Sequence, residues 1–174
     1  MLNFRNFSAL AFSSTEERGK RLLLINKRNY LILISKTQTL SVAESCTGGH
    51  ISSIITSVAG SSDYFRGGVI AYSNQVKINQ LGVSVNDIER DSAVSVKVAG
   101  QMAESIKNKL QTNFAISTTG YAGPKGEKVG QVFIAIASSK KTVVNEYFFE
   151  GKRQKIIKQT VAKALTLLLE KIKN

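Results

Sequence analysis

The stretch Thr39-Leu-Ser-Val-Ala-Glu-Ser-Cys-Thr-Gly-Gly49, continued by Ile51, Ile54, Ile55 and Val58, decides how this chain folds. Residues 39–43 form the short apolar run of a buried strand, and the four later positions recur on one helix face. A strand, a tight turn and a helix over residues 48–58 are therefore predicted. Ser45, Cys46 and Thr47 fall at the junction. Such a junction turns backbone N–H groups and the positive end of a helix dipole toward whatever sits over it. Each of the three side chains carries a hydroxyl or thiol, the kind of group that attacks acyl carbons.

Working outward, residues 67–72 read as a second strand and residues 74–81 as a helix ended by Gly82. A longer helix over 95–110 has Ser95 as N-cap and Val98, Met102, Ala103, Ile106 and Leu110 on one face. Residues 114–118 form a third strand that runs into the glycine-rich loop Thr119-Gly-Tyr-Ala-Gly-Pro-Lys-Gly126. Strands over 129–138 and 142–149 follow, joined by Ser139-Lys-Lys141. A helix over 153–172 closes the chain, with Ile157, Val161, Ala164, Leu165, Leu168 and Ile172 as its buried stripe. This order predicts an α/β fold, a single three-layer domain with a mixed β-sheet flanked by helices. The domain is placed at residues 35–174, with residues 1–34 an N-terminal extension or a first helix. Within the latter, residues 22–34 are apolar enough for a helix or a strand.

Composition narrows the function. A chain of 174 residues, 43% hydrophobic, builds one packed domain. Cys46 is the only cysteine and His50 the only histidine, so one chain can build neither a disulfide framework nor a zinc cluster. A reducing, cytoplasmic setting follows. No metal and no cofactor are predicted, Mg2+ on one or two carboxylates being the remaining option. Residues 1–28 place Phe4, Phe7, Leu10 and Phe12 among Ser and Arg with no acid before Glu16, a composition weakly like a transit peptide. No apolar run reaches membrane-spanning length.

The formal charge of +12 is concentrated at the ends: seven Lys or Arg against two Glu in residues 1–36, and seven against one Glu in residues 152–174. The body between them is nearly neutral. Without a helix-turn-helix, zinc-finger or aromatic RNA-binding signature, this charge reads as solvated surface, and neither a specific nucleic acid nor a membrane is expected as partner.

Catalysis has to be built from few parts. His50 lies one turn beyond the candidate nucleophiles on the same helix, where its ring would point along the helix flank. A lysine kept neutral by burial is the other way to activate a hydroxyl. Tyr72-Ser-Asn-Gln-Val-Lys77 offers such a lysine one turn into a helix, with Tyr72 where the preceding strand ends. If the first two strands are parallel neighbours, Tyr72 and Lys77 approach Ser45 from the rim where α/β sheets bind ligands. Taken alone, Lys77 is a solvated helix lysine and Tyr72 a packing aromatic.

Six strings, Ala43-Glu-Ser-Cys-Thr-Gly-Gly49, Phe65-Arg-Gly-Gly-Val-Ile-Ala-Tyr-Ser-Asn74, Leu81-Gly-Val83, Ala93-Val-Ser95, Thr119-Gly-Tyr-Ala-Gly-Pro124 and Val129-Gly130, occur in the order of a known family. Together they resemble the CinA C-terminal domain family, the nicotinamide-nucleotide amidases also called PncC, over about residues 35–172. The resemblance implies hydrolysis of the carboxamide of nicotinamide mononucleotide to nicotinic acid mononucleotide and ammonia. It implies Ser45 as nucleophile, Lys77 as general base and Tyr72 as assisting residue. Substrate-binding roles fall on Thr47, Thr119 and Arg153, and the backbone around Cys46, Thr47, Gly48, Gly49 and Gly120 is expected to receive the oxyanion and the substrate. A homo-oligomer acting on a small-molecule nucleotide is implied as well.

Three departures from the family pattern bear on binding. The loop after Pro124 is cut to Lys125-Gly-Glu-Lys128, Asp91-Ser92 stands where His-Gly is frequent, and Lys152 replaces a common acid. The alternative to an amidase is thus a weak or inactive nucleotide-binding or assembly protein of the same fold. A basic nucleic-acid binder is the third reading.

Overall fold

A computed structural model describes residues 15–124 and 128–173. Phe4, Phe7, Leu10 and Phe12, and Lys125-Gly-Glu127 of the shortened loop, lie outside the described residues. Helix α1 (Thr15–Ser35) leads into strand β1 (Leu40–Glu44), helix α2 (His50–Thr56), strand β2 (Phe65–Ile70), and helices α3 (Asn74–Leu81), α4 (Val85–Asp91) and α5 (Val96–Lys109). Strands β3 (Phe114–Gly120), β4 (Gln131–Ala137) and β5 (Thr142–Phe148) precede helix α6 (Arg153–Lys173). The strands form one sheet in the order β2-β1-β3-β4-β5. β2, β1 and β3 are parallel and β4 and β5 antiparallel, giving a mixed sheet between two helical layers.

The period-2 alternation of the strands sorts large side chains to one face and small ones to the other. Leu40, Val42, Ile116, Val132, Ile134 and Ile136 meet Ile51 and Ile55 of α2 and the stripe of α6. Ala43, Ala115, Ala135, Ala137 and Phe133 meet Val98, Ala99, Met102 and Ile106 of α5. The small residues let α5 approach closely enough for Ser117 Oγ to donate to Ala99 O at 2.6 Å.

Several boundaries differ from the sequence reading. Residues 22–34 belong to a helix, which packs beside α6: Asn29 Nδ2 donates to Leu165 O at 3.0 Å and Lys36 Nζ to Ile172 O at 2.6 Å. Helix α4 was not foreseen, because residues 85–91 contain only Val85 and Ile88 as large apolar residues and show no clear stripe. β2 ends at Ile70 rather than Tyr72. Helix α2 begins at His50 rather than Gly48, because Gly48 (φ 56°) and Gly49 (φ 93°) adopt left-handed conformations that extend the turn.

Candidate active site

The site lies where β1 and β2 end side by side, their last residues Glu44 and Ile70 in register. The parallel pairing brings the turn after β1 and the start of α3 to one rim of the sheet. α3 is started by Ser73, whose side chain accepts from Val76 N, so Lys77 sits on the inward side of its first turn. Lys77 is 2% exposed, and its Nζ donates to Ala71 O at 2.8 Å and to Ser45 Oγ at 3.0 Å. Its pKa is lowered from the usual 10.5, chiefly by burial. Among the described residues no carboxylate is bonded to Nζ, and the neutral oxygens of Ala71 and Ser45 replace the lost hydration of an ammonium only in part.

Ser45 is held in place from both sides. Its own N–H donates to Thr118 O at 2.9 Å, and its carbonyl accepts from Gly48 N at 3.1 Å. That second bond removes Gly48 from the expected oxyanion donors. Among the described residues, the N–H groups of Cys46 and Thr47 donate to no backbone oxygen. The expectation that the α2 helix end faces the ligand is corrected as well. Glu44, 1% exposed, accepts from Gly49 N and Ile51 N at 3.0 Å through Oε2, and from Ser52 N at 2.9 Å and Ser52 Oγ at 2.7 Å through Oε1. A carboxylate on the first-turn N–H groups already answers the helix dipole and stiffens the turn behind Ser45.

A cavity of about 170 Å3 opens over Ser45, lined also by Cys46, Tyr72, Lys77, Thr119, Gly120 and Arg153. Thr119 Oγ1 donates to Ala93 O at 2.8 Å, which ties β3 to the segment ahead of α5. Gly120 is required where it stands: a Cβ there would meet Val132 Cγ2 at 2.7 Å and Gln131 O at 2.8 Å. Tyr72 is 60% exposed at the cavity mouth. Arg153 bridges that mouth, donating through Nη2 to Tyr72 OH at 2.7 Å and through Nη1 to Gly123 O at 2.8 Å.

Not every anticipated residue reaches the cavity. Thr47 is fully buried, with its hydroxyl 2.8 Å from that of Thr118, and Gly48 and Gly49 shape the turn without lining the space. His50 Nδ1 lies 2.6 Å from Thr47 O and its ring is not part of the lining. Cys46 lines the cavity, but burial pushes its thiol up to about 12, so the thiolate a cysteine nucleophile needs is disfavoured. Among the described residues, no group of three or more His, Cys, Asp or Glu is placed to hold a metal.

Sequence reasoning overlooked Asn74, Ala93, Val94, Tyr121 and Ala122 as cavity wall. Tyr121 stood inside the quoted loop string and was legible there. Ala93 and Val94 arrive only through the link after the unforeseen α4. In that link Ser92 adopts φ 75°, ψ 155°, a region that favours glycine, and its Oγ lies 2.9 Å from Tyr121 OH.

The site thus sets a serine hydroxyl beside a buried lysine amine at the rim of a mixed sheet, in a three-layer α/β protein. The chain belongs to the CinA C-terminal domain family, whose model matches residues 25–172. It is 46% identical over 145 residues to a CinA-like protein of Flavobacterium psychrophilum, covering 81% of this chain and 35% of that protein. A CinA-like protein of Trichodesmium erythraeum is 47% identical over 148 residues, covering 81% of this chain and 35% of the relative. The chain thus spans about a third of the length of these curated relatives. Among solved structures, the competence/damage inducible protein CihA of Agrobacterium tumefaciens is 30% identical with a TM-score of 0.84, covering 95% of this chain and 100% of that one. The competence-damaged protein superfamily member from Enterobacter cloacae is 28% identical with a TM-score of 0.85, covering 99% of this chain and 98% of that one.

Proposed function

We propose that the chain is a nicotinamide-nucleotide amidase that converts nicotinamide mononucleotide to nicotinic acid mononucleotide and ammonia. The observation that carries this reading is the 3.0 Å contact between Lys77 Nζ and Ser45 Oγ, with Lys77 2% exposed. Neutral Lys77 takes the hydroxyl proton as Ser45 Oγ bonds to the carboxamide carbon, and the carbonyl electron pair moves onto oxygen. The N–H group of Cys46, which lines the cavity, is the donor offered to that oxyanion. Collapse of the intermediate breaks the C–N bond, and the proton held on Lys77 leaves with ammonia. Water then gives a proton to Lys77 and attacks the acyl carbon, and Ser45 Oγ departs by recovering that proton. Arg153 supplies fixed positive charge for the nucleotide phosphate, and Tyr72 positions Arg153 at the mouth.

A cytoplasmic setting suits both this substrate and the free thiol of Cys46. A homo-oligomer is part of the proposal, checked by light scattering of the full chain. Among the described residues, no helix is long and apolar enough to cross a membrane. The deciding assay is ammonia release from nicotinamide mononucleotide by the wild type and by Ser45→Ala. Turnover that survives Ser45→Ala removes the serine mechanism. Tight nucleotide binding without ammonia from any pyridine nucleotide replaces the amidase by a binding protein.

A further inference from the structure

The two basic ends of the sequence, separated by a nearly neutral body, become neighbours in the fold. Asn29 of α1 bonds to Leu165 of α6, and seven residues further along Lys36 bonds to Ile172. The two helices therefore run parallel in the same layer, on the large-residue side of the sheet. Exposed lysines stand on both, Lys20 and Lys27 on α1 and Lys155, Lys158 and Lys173 on α6, so two basic helices share one layer.

The outward side of α1 is also apolar. Its inward stripe, Asn26, Asn29 and Leu33, is buried. Leu24 is 50% exposed, Leu31 62%, Leu23 41% and Ile34 37%. At 100° per residue, Leu24, Leu31 and Ile34 share one side of the helix with Lys20 and Lys27. Large aliphatic side chains interleaved with lysines match the boundary of a lipid layer, where acyl chains receive the former and anionic headgroups the latter. A phosphate backbone would answer the lysines but give the leucines nothing. A second copy of this chain would bring like charge against like.

We propose that the outer face of α1, where Lys20 and Lys27 alternate with Leu24, Leu31 and Ile34, docks the protein on an anionic lipid surface. This is independent of the chemistry at Ser45, which lies at the rim where β1 and β2 end. The lysines supply attraction and the leucines shallow insertion, so binding requires both.

The test is co-sedimentation of the full chain with vesicles of phosphatidylcholine alone, or with about 30% phosphatidylserine, whose charge mimics an anionic leaflet. Binding is expected only to the anionic vesicles, and to weaken at least about tenfold in Leu24→Gln/Leu31→Gln and in Lys20→Glu/Lys27→Glu. Both variants should keep the circular dichroism and ammonia release of the wild type. Equal binding to both vesicle types, no binding to either, or anionic binding untouched by the leucine pair overturns the proposal. So does a dimer that dissociates in the leucine variant, which makes the face a self-interface. Retention on duplex DNA lost with the lysines but kept with the leucine pair assigns it to nucleic acid instead.

Discussion

Two hydrogen-bonded pairs stand a few residues apart at the same rim and behave in opposite ways. Lys77 reaches Ser45 at 3.0 Å inside the wall of the cavity, and Arg153 reaches Tyr72 at 2.7 Å across its mouth. The lysine is 2% exposed and its charge is suppressed by burial, whereas the tyrosine is 60% exposed and its partner is a permanent cation in contact with solvent. Similar distances thus serve different ends. Inside, desolvation disfavours the ammonium, as the proposed base requires; outside, the guanidinium keeps its contact with water, as the proposed phosphate contact requires.

The sharpest way to break this contrast is to remove the inner pair. Ser45→Ala is expected to lower kcat by roughly 10^4-fold or more, read as ammonia release, because Cys46, the other nucleophile lining the cavity, has its thiol pushed up to about 12. Lys77→Met should lose nearly as much activity while leaving the unfolding free energy, from denaturant titration, within about 1 kcal/mol of wild type, since removing a desolvated amine offsets the lost bond to Ala71 O. A large loss of stability in Lys77→Met would show that the lysine is a structural post.

The acid limb of the pH profile should report the same lysine. Activity should rise with pH through the lowered pKa of Lys77 and lose this limb in Lys77→Met, measured as kcat/KM across pH. The linkage has a definite sign. The unfolded chain holds the lysine proton up to its usual 10.5 and the folded chain releases it earlier, so unfolding takes up protons in between. Stability therefore rises with pH across that window, and Lys77→Met flattens the rise.

Changes at the outer pair should be smaller and fall on binding. Arg153→Ala is expected to raise KM for the nucleotide about 10- to 100-fold with a lesser change in kcat, the loss of one charge-assisted contact. Tyr72→Phe should cost about tenfold or less, seen mainly in KM. A Tyr72→Phe effect on kcat as large as that of Lys77→Met would move Tyr72 from the mouth into the proton transfer.

Much of this was visible in the amino-acid order. The apolar run at residues 39–43 and the stripes on α5 and α6 are local patterns, and the order of the elements predicted a mixed sheet flanked by helices. Ser45 and Lys77 were legible as residue types in suitable elements. Their 3.0 Å contact was not, since it depends on β1 and β2 being parallel neighbours with ends in register. Glu44 is the instructive omission. An acid directly ahead of the turn signals a cap, but the sequence could not tell whether the helix N–H groups would meet a substrate or that carboxylate.

By itself the sequence determined most of the elements other than α4, the buried stripes of α5 and α6, the scarcity of histidine and thiol that leaves a serine with a lysine, and the charge at the two ends. Periodicity and composition are local quantities, and a chain carries them before it folds. Only the tertiary structure decided that Lys77 is buried against Ser45, that Thr47 turns inward and Arg153 spans the mouth, and that the basic helices α1 and α6 share one layer. Each of these depends on groups 30 or more residues apart being brought together, as with Lys77 and Ser45 at a separation of 32 and Asn29 and Leu165 at 136. Desolvation and charge density are set by such neighbours, which strand pairing and helix packing choose.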